Sequence, residues 1–330
     1  MKTIFFKNKP SILETYSVVG PKESQSPLKK CFDLKIDDDK FNELTYEKAE
    51  RKMLITAISN LLKKVNVNEN ELDVMLLGDL LNQNISTSFT AREFDASLLG
   101  LYSACSSITE SLLLGATLID GNYINNAVCA TVSHFSTAER QYRYPLELGS
   151  TRPPQAQWTV TGAGAFYLSN DKNYPKIVNA TIGKVVDFGV TDVNNMGAAM
   201  APACAETIIN HLKNTNTTPY DYDLIVSGDL GALGSRILKH LTNERGVDIK
   251  SNHVDCGELI YNIDELEFQG GSGAGCSAVV MASYIYPKLL KKEINRVLFC
   301  ATGALLSTVS SQQGESIPCI SHAVTLENYD

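Results

Sequence analysis

The chain has 330 residues, of which 44% are hydrophobic and 20% charged, with a formal net charge of −8. That is the composition of a folded globular protein long enough to bury a sizeable core. The acidic balance counts against nucleic acid as a partner, since phosphate backbones are gripped by clustered Lys and Arg, but leaves room for a small anion held by one or two local cations.

The N-terminal residues MKTIFFKNKPS carry a short apolar run without the long apolar core and cleavage site of a signal peptide. No stretch is long enough to cross a membrane, so the expectation is a soluble, cytosol-made protein. Residues 20–45 are polar and loop-like, and the acidic run IDDDK at 36–40 reads as a solvated loop. A helix is predicted over 48–64, where Ala49, Met53, Leu54, Ala57, Ile58 and Leu61 recur at helical spacing. DVMLLGDLL at 73–81 reads as an apolar strand ending in Gly-Asp-Leu. At 102–119 a strand end leads through Cys105 into a buried helix with Ile108, Leu112, Ala116 and Ile119 on one face. NAVCATVS at 126–133 is the next strand. Residues 134–157 form an excursion rich in Arg, Tyr and Pro, and 158–169 returns to a strand.

The pattern then repeats. After a Gly- and Asn-rich loop at 187–201 comes a helix at 203–213, followed by DLIVSGDLG at 223–231 with the same Gly-Asp-Leu end. GAGCSAVVMASYIYPKLL at 273–290 again opens a helix on Cys-Ser, and strands follow at 296–303 and 316–327. Continuous apolar strands alternating with helices predict an α/β protein with mostly parallel sheets covered by helices. The repetition predicts two pseudo-symmetric halves, 1–180 (with the 134–157 excursion) and 181–330, packed as one body.

The eight cysteines are scattered without a CxxC pair, which fits buried thiols rather than a disulfide framework. His253 and Cys256 lack a second pair to complete a metal site, and GDLGALGS lacks the end of a P-loop, so neither metal nor cofactor is expected. Cys105 is the candidate nucleophile. A thiol at a helix N-terminus feels the positive end of the dipole and free N–H groups, both of which favour thiolate. His134 closes a strand, where pocket residues of α/β folds gather. Asn82 and Asn84 follow the first Gly-Asp-Leu and can donate through their amides, with strand-end capping as the structural alternative. The excursion supplies Arg140, Arg143 and Arg152 with Tyr142 and Tyr144.

A duplicated α/β chain with Ala-Cys-Ser opening a buried helix resembles the thiolase and ketoacyl-synthase superfamily over roughly residues 12–328. VVGPKES (18–24), AERK (49–52), GDLLNQN (78–84), TAERQYRYP (137–145), TGAGA (161–165), MAPA (200–203), GGSGAGCSA (270–278), ATGALLS (301–307) and QQGESIPCISH (312–322) look like the stage V sporulation protein AD family of spore-forming Firmicutes. The resemblance implies a thiolase-like fold of five layers, αβαβα, with mixed, mostly parallel sheets. It implies binding of dipicolinic acid (pyridine-2,6-dicarboxylate), free or as its Ca²⁺ chelate, and support of its uptake into the developing spore. The partners implied are membrane proteins of the same sporulation system, with peripheral association at the forespore or spore inner membrane. A homodimer of the superfamily's usual kind would pair near 158–168.

The departures from the superfamily bear on chemistry. Degradative thiolases carry a second cysteine in a Cys-x-Gly turn; here Cys319 stands in Cys-Ile-Ser, with His322 three residues on. The enzymes' His at the end of the second-half strand is replaced by Asp229, and their next polar group falls at Ser272, beside Gly273. Acyl transfer needs neutral or cationic donors around an oxyanion, and an aspartate there repels the developing charge. The expectation is therefore a binding pocket without the catalytic set. Its planar dianionic ligand would want an Arg, either Arg140 or Arg143, N–H donors from the Cys105 helix and an apolar slot. The rival reading is an acyltransferase using Cys105 with Cys319, and a third is a docking protein with an empty pocket.

Overall fold

The computed structural model describes residues 1–143, 145–149, 151–262 and 269–328. Ten of its strands sort into two five-stranded sheets of the same order, and Trp158–Thr159 pairs separately with Gly271–Ser272. In the first, Ser97–Leu101, Val74–Gly78 and Asn126–Ser133 run parallel, and Gly162–Ser169 and Ser11–Val19 follow antiparallel. In the second, His253–Asp255, Leu224–Ser227 and Arg296–Ala304 run parallel, followed by antiparallel Cys319–Glu327 and Lys176–Ile182. A single residue pair, Ser11 with Lys176, links the two sheets. The N-terminal strand Lys2–Phe5 pairs with Lys176–Ile182, so the start of the chain completes the second sheet. The 180/181 dividing line falls inside that same strand.

Strand alternation explains why the sheets are buried on both faces. In Asn126–Ser133, Ala127 and Cys129 enter a core cluster between the sheets, while Val128, Ala130 and Val132 enter a separate cluster under the outer helix. In Arg296–Ala304, Val297, Phe299 and Ala301 face the centre, and Leu298 and Cys300 face outward. With a side-chain period of two and both faces covered, such strands read as unbroken apolar runs. The central layer holds the helix Ser107–Asp120 and the helical run Ala274–Leu290, which passes through a π-helical turn at Met281–Ile285. Ser107–Asp120 packs on strands of both sheets. The outer helices are Tyr46–Val65 and Met196–Thr215. Both begin on a capping side chain, Thr45 or Asn195, and both stop at a left-handed asparagine, Asn66 or Asn216. The result is helix, sheet, helices, sheet, helix, the five-layered duplicated fold expected of the chain.

Three local expectations need correction. The second-half outer helix starts at Met196, not 203, so it takes in the end of the stretch read as loop. The excursion opens with the helix Phe135–Tyr142. The proposed pairing edge near 158–168 is not an edge: Gly162–Ser169 is flanked on both sides by strands, whereas Ser97–Leu101 and His253–Asp255 end the long strand order. All eight cysteines are free thiols. No helix among the described residues is long and apolar enough to cross a membrane.

The polar 20–45 segment is tied to this frame by Glu23. Its Oε1 accepts from the Thr161 N–H at 3.0 Å and from the Tyr261 hydroxyl. Burial pushes this carboxyl up to about 7. A carboxyl raised on folding adds stability that is complete below its unfolded value of 4.5 and lost as pH rises through about 7. Each unit of that interval is worth about 1.4 kcal/mol at most. Glu23→Gln, which stays neutral, should melt with the parent at about pH 5 and above it at about pH 8, as read by thermal denaturation. An equal offset at both pH values would refute the assignment.

Candidate functional site

The site lies where the first-half strands end beneath the second half. Cys105 sits in the 3₁₀ turn Ala104–Ser106 that leads into Ser107–Asp120. Ala104 is left-handed, at φ 52, a conformation costing roughly 1–2 kcal/mol for a residue with a Cβ. Serine hydroxyls hold it there. Ser107 Oγ accepts from the Ser103 N–H at 3.1 Å and donates to the Ala104 carbonyl at 2.8 Å, while Ser106 Oγ donates to the Ser103 carbonyl at 2.8 Å. From the other half, Gly303 presses so closely that a Cβ on it would stand 2.0 Å from the Ser103 carbonyl oxygen.

Above Cys105 opens a pocket with about 490 Å³ of space when the open solvent at its mouth is included. Leu80, Ala138, Met196, Met200, Ala304 and Leu306 make it mostly apolar. Cys105, Tyr142, Arg143, Thr159, Ser272 and Gly273 supply its polar features. Arg143 is the cation in this wall, nearly buried, and it donates from Nη1 to Glu139 Oε1 at 2.5 Å. The same Glu139 oxygen accepts from Arg152 Nη1 at 2.7 Å. One carboxylate thus serves two guanidinium groups. Arg143 Nε is buried without a hydrogen-bond partner among the described residues. Tyr142 donates to the Leu80 carbonyl and meets the Tyr102 hydroxyl at 2.9 Å, closing one side of the mouth.

The Cys105 thiol departs from the activated state expected of it. Its pKa is pushed well above the ordinary thiol value, first by burial and then by Asp229, and the Gly273 N–H and Arg143 offset this only in part. Half a turn of helix dipole does not outweigh loss of solvent next to an acid. Asp229 itself is fully buried beneath the floor and does not line the cavity. Burial, then Asp255, raises its carboxyl well above the ordinary range.

The other expected residues divide cleanly. Arg143, Ser272 and Gly273 join Cys105 in the pocket. Arg140 does not: it projects outward and pairs with Glu47. His134 is a structural cap, its Nδ1 accepting from the Ser136 N–H at 3.1 Å and its Nε2 bonded to the Asp39 carbonyl at 2.8 Å. Asn82 and Asn84 lie in an outer depression that shares Leu306 with the pocket, and Asn84 Nδ2 is spent on the Leu101 carbonyl at 3.0 Å. Cys319 is buried near Cys105 but outside the cavity, its thiol pushed up to about 12 by burial. His322 faces away; its Nδ1 accepts from the Gly183 N–H at 3.2 Å, and burial lowers it to about 4. Tyr144 lies outside the described residues. The reading of the sequence missed Leu80, Ala138, Thr159, Met196, Met200, Ala304 and Leu306. The i, i+4 pair Met196 and Met200 was a usable signal, since that spacing puts both side chains on one helix face.

Comparisons with known proteins agree with this architecture. The sequence profile of stage V sporulation protein AD matches residues 1–327. The chain is 45% identical over 311 residues to the stage V sporulation protein AD of Bacillus subtilis (strain 168), covering 94% of this chain and 92% of that protein. Among solved structures, 3-oxoacyl-[acyl-carrier-protein] synthase III from Aquifex aeolicus superimposes with a TM-score of 0.60 at 13% identity, over 96% of this chain and 99% of that one. A variant of OleA from Xanthomonas campestris gives a TM-score of 0.62 at 9% identity, over 98% and 99%. At such identities the likeness to the two enzymes is one of fold, and that fold is thiolase-like.

Proposed function

The chain belongs to the stage V sporulation protein AD family, and on that premise we propose that its Cys105 pocket binds dipicolinic acid without reacting with it. It is a sporulation protein on a thiolase-like scaffold. In this reading, binding serves the loading of the acid into the developing spore, together with membrane proteins of the same sporulation system at the forespore membrane.

The observation that carries the reading is Arg143, a guanidinium in the pocket wall whose Nε is buried and unpartnered among the described residues. Such a group suits a planar carboxylate. Met196, Met200 and Leu306 offer a slot for an aromatic ring, and the Thr159 and Ser272 side chains offer hydroxyl groups. No histidine lines the cavity among the described residues, so the base that acyl transfer would need is not at hand.

Calorimetry tests the proposal. Titrating the whole protein with dipicolinate should give a saturable, one-to-one heat, and a folded sample without one would remove dipicolinate as the ligand. Incubation with acyl-coenzyme A, followed by intact-mass spectrometry, should leave the protein unmodified. A stable acyl adduct on Cys105, absent from Cys105→Ala, would replace binding by acyl transfer.

A further inference from the structure

Arg152 stands outside the lining of the Cys105 pocket, yet it is tied to two of the pocket's sides. Its Nη1 donates to Glu139 Oε1 at 2.7 Å, and its Nη2 donates to the Gln157 carbonyl. Its guanidinium lies 5.5 Å from the ring centroid of Phe135 and 5.2 Å from that of Trp158. Those two rings stack on each other at 3.9 Å. A guanidinium resting on aromatic faces, with its edges engaged by a carboxylate and a carbonyl, is fixed in orientation.

Gln157 carries the connection into the second half of the chain. It is buried, and its Nε2 donates to the Asp229 carbonyl at 2.6 Å and to the Gly271 carbonyl at 3.0 Å. The next two residues, Trp158 and Thr159, pair in register with Gly271 and Ser272, which brings the Thr159 and Ser272 side chains to the pocket together. On the other side, Glu139 Oε1 also accepts from Arg143 Nη1 at 2.5 Å. A continuous set of contacts therefore runs from the cation of the wall, through Glu139, Arg152 and Gln157, to the strand pair that presents the pocket's hydroxyl groups.

We propose that Arg152 is a positioning residue that acts through Arg143, keeping the Arg143 fork from closing on Glu139 so that its Nε stays available to a carboxylate of the ligand. An arginine four residues after a glutamate, both shielded from solvent, ordinarily closes on it through two parallel hydrogen bonds. Here Arg143 reaches Glu139 through Nη1, and its Nε is buried without a hydrogen-bond partner among the described residues. The carboxylate oxygen that Arg143 uses is the one that Arg152 also holds, and all three side chains are largely withdrawn from water. Two guanidinium groups drawn to one oxygen repel each other across it, and poor solvent screening keeps that repulsion effective. Arg152 is pinned by its two rings and the Gln157 carbonyl, so Arg143 is the one that yields. The inference deepens the reading of a carboxylate-binding pocket and rests on it only for the identity of the ligand.

The test is a double-mutant cycle read by calorimetry with dipicolinate. Arg152→Gln should weaken binding by about tenfold although the residue does not reach the cavity. The same substitution made on Arg143→Gln should have no further effect, because the residue it acts through is gone. Equal losses in the two backgrounds would mark a general loosening of the wall and overturn the proposal. A second readout needs no ligand. The Arg143 Nε–H resonance in a proton–nitrogen correlation spectrum, identified by its loss in Arg143→Gln, should move downfield in Arg152→Gln as Nε closes on Glu139. An unmoved resonance would overturn the proposal. Should Arg152→Gln fail to fold, Arg152→Met keeps a stem over the two rings and removes the charged head. The parent alone also decides, since a resonance already at the position of a carboxylate-bound Nε–H would overturn the proposal. A parent protein that takes up no dipicolinate, with the resonance shift present in the variant, keeps the role of Arg152 and removes that ligand.

Discussion

Arg143→Gln should weaken dipicolinate binding by about 10- to 100-fold, the worth of a charge-assisted hydrogen bond of roughly 1.5–3 kcal/mol. The loss should exceed that of Arg140→Gln, because Arg140 points out of the pocket toward Glu47. The contrast is informative because the two arginines stand three residues apart on one short segment. Truncating Arg143 also alters the wall, since Glu139 then answers Arg152 alone. Calorimetry on both variants, with circular dichroism to show that each is folded, checks the expectation. Equal affinities for the two would put the carboxylate somewhere other than this wall.

Gly303→Ala should be the most damaging small substitution near the site. The added methyl would stand 2.0 Å from the Ser103 carbonyl oxygen and 3.1 Å from the Cys105 nitrogen, both backbone atoms with nowhere to go. Overpacking of this kind costs about 1–3 kcal/mol and occasionally more, and here the upper end is expected. The melting temperature should fall by roughly 5 °C or more, and ligand binding should fall with it, because the displaced turn is the one that presents Cys105. Gly100→Ala is the matched control. It lies on an outermost strand with its nearest neighbour, the Asn84 side chain, at 3.5 Å, and its melting temperature should hardly change. Equal losses at the two sites would mean that the close approach of the halves at Gly303 is not what holds the floor in place.

How far the sequence alone reaches is seen in these residues. The layers were legible because their cause is periodic. NAVCATVS sends apolar residues to both faces, and the strand it forms feeds one core with Ala127 and Cys129 and another with Val128 and Val132. Cys105 was legible as a position, because a helix start after a strand places it, but not as a chemical state, which follows first from burial that only the folded chain creates. Arg140 and Arg143 could not be told apart by spacing. The helix ends at Tyr142, and Arg143, at φ −126 and ψ −83, leaves the helical path, so only Arg143 turns inward. His134 and Asn84 were chosen as polar residues at strand ends, and both are engaged by backbone groups, His134 by Ser136 and Asp39 and Asn84 by Leu101, the bland alternative that residue type cannot exclude. Met196 and Met200 carry an i, i+4 signal, but it lies in a Gly- and Asn-rich approach that reads as loop until tertiary packing extends the helix over it.

The helix Ser107–Asp120 has no side that belongs to one half alone. Its side chains join those of Val226, Val297, Phe299 and Leu326 from the second sheet and Leu76, Cys129 and Phe166 from the first in one apolar cluster. Peeling either sheet away would strip the other of its inner cover. A helix shared by both sheets makes the two copies of the motif expected to unfold together rather than in series, a single transition in thermal denaturation being the check. A pocket rooted there persists for as long as the whole molecule does, a useful property in a sporulation protein.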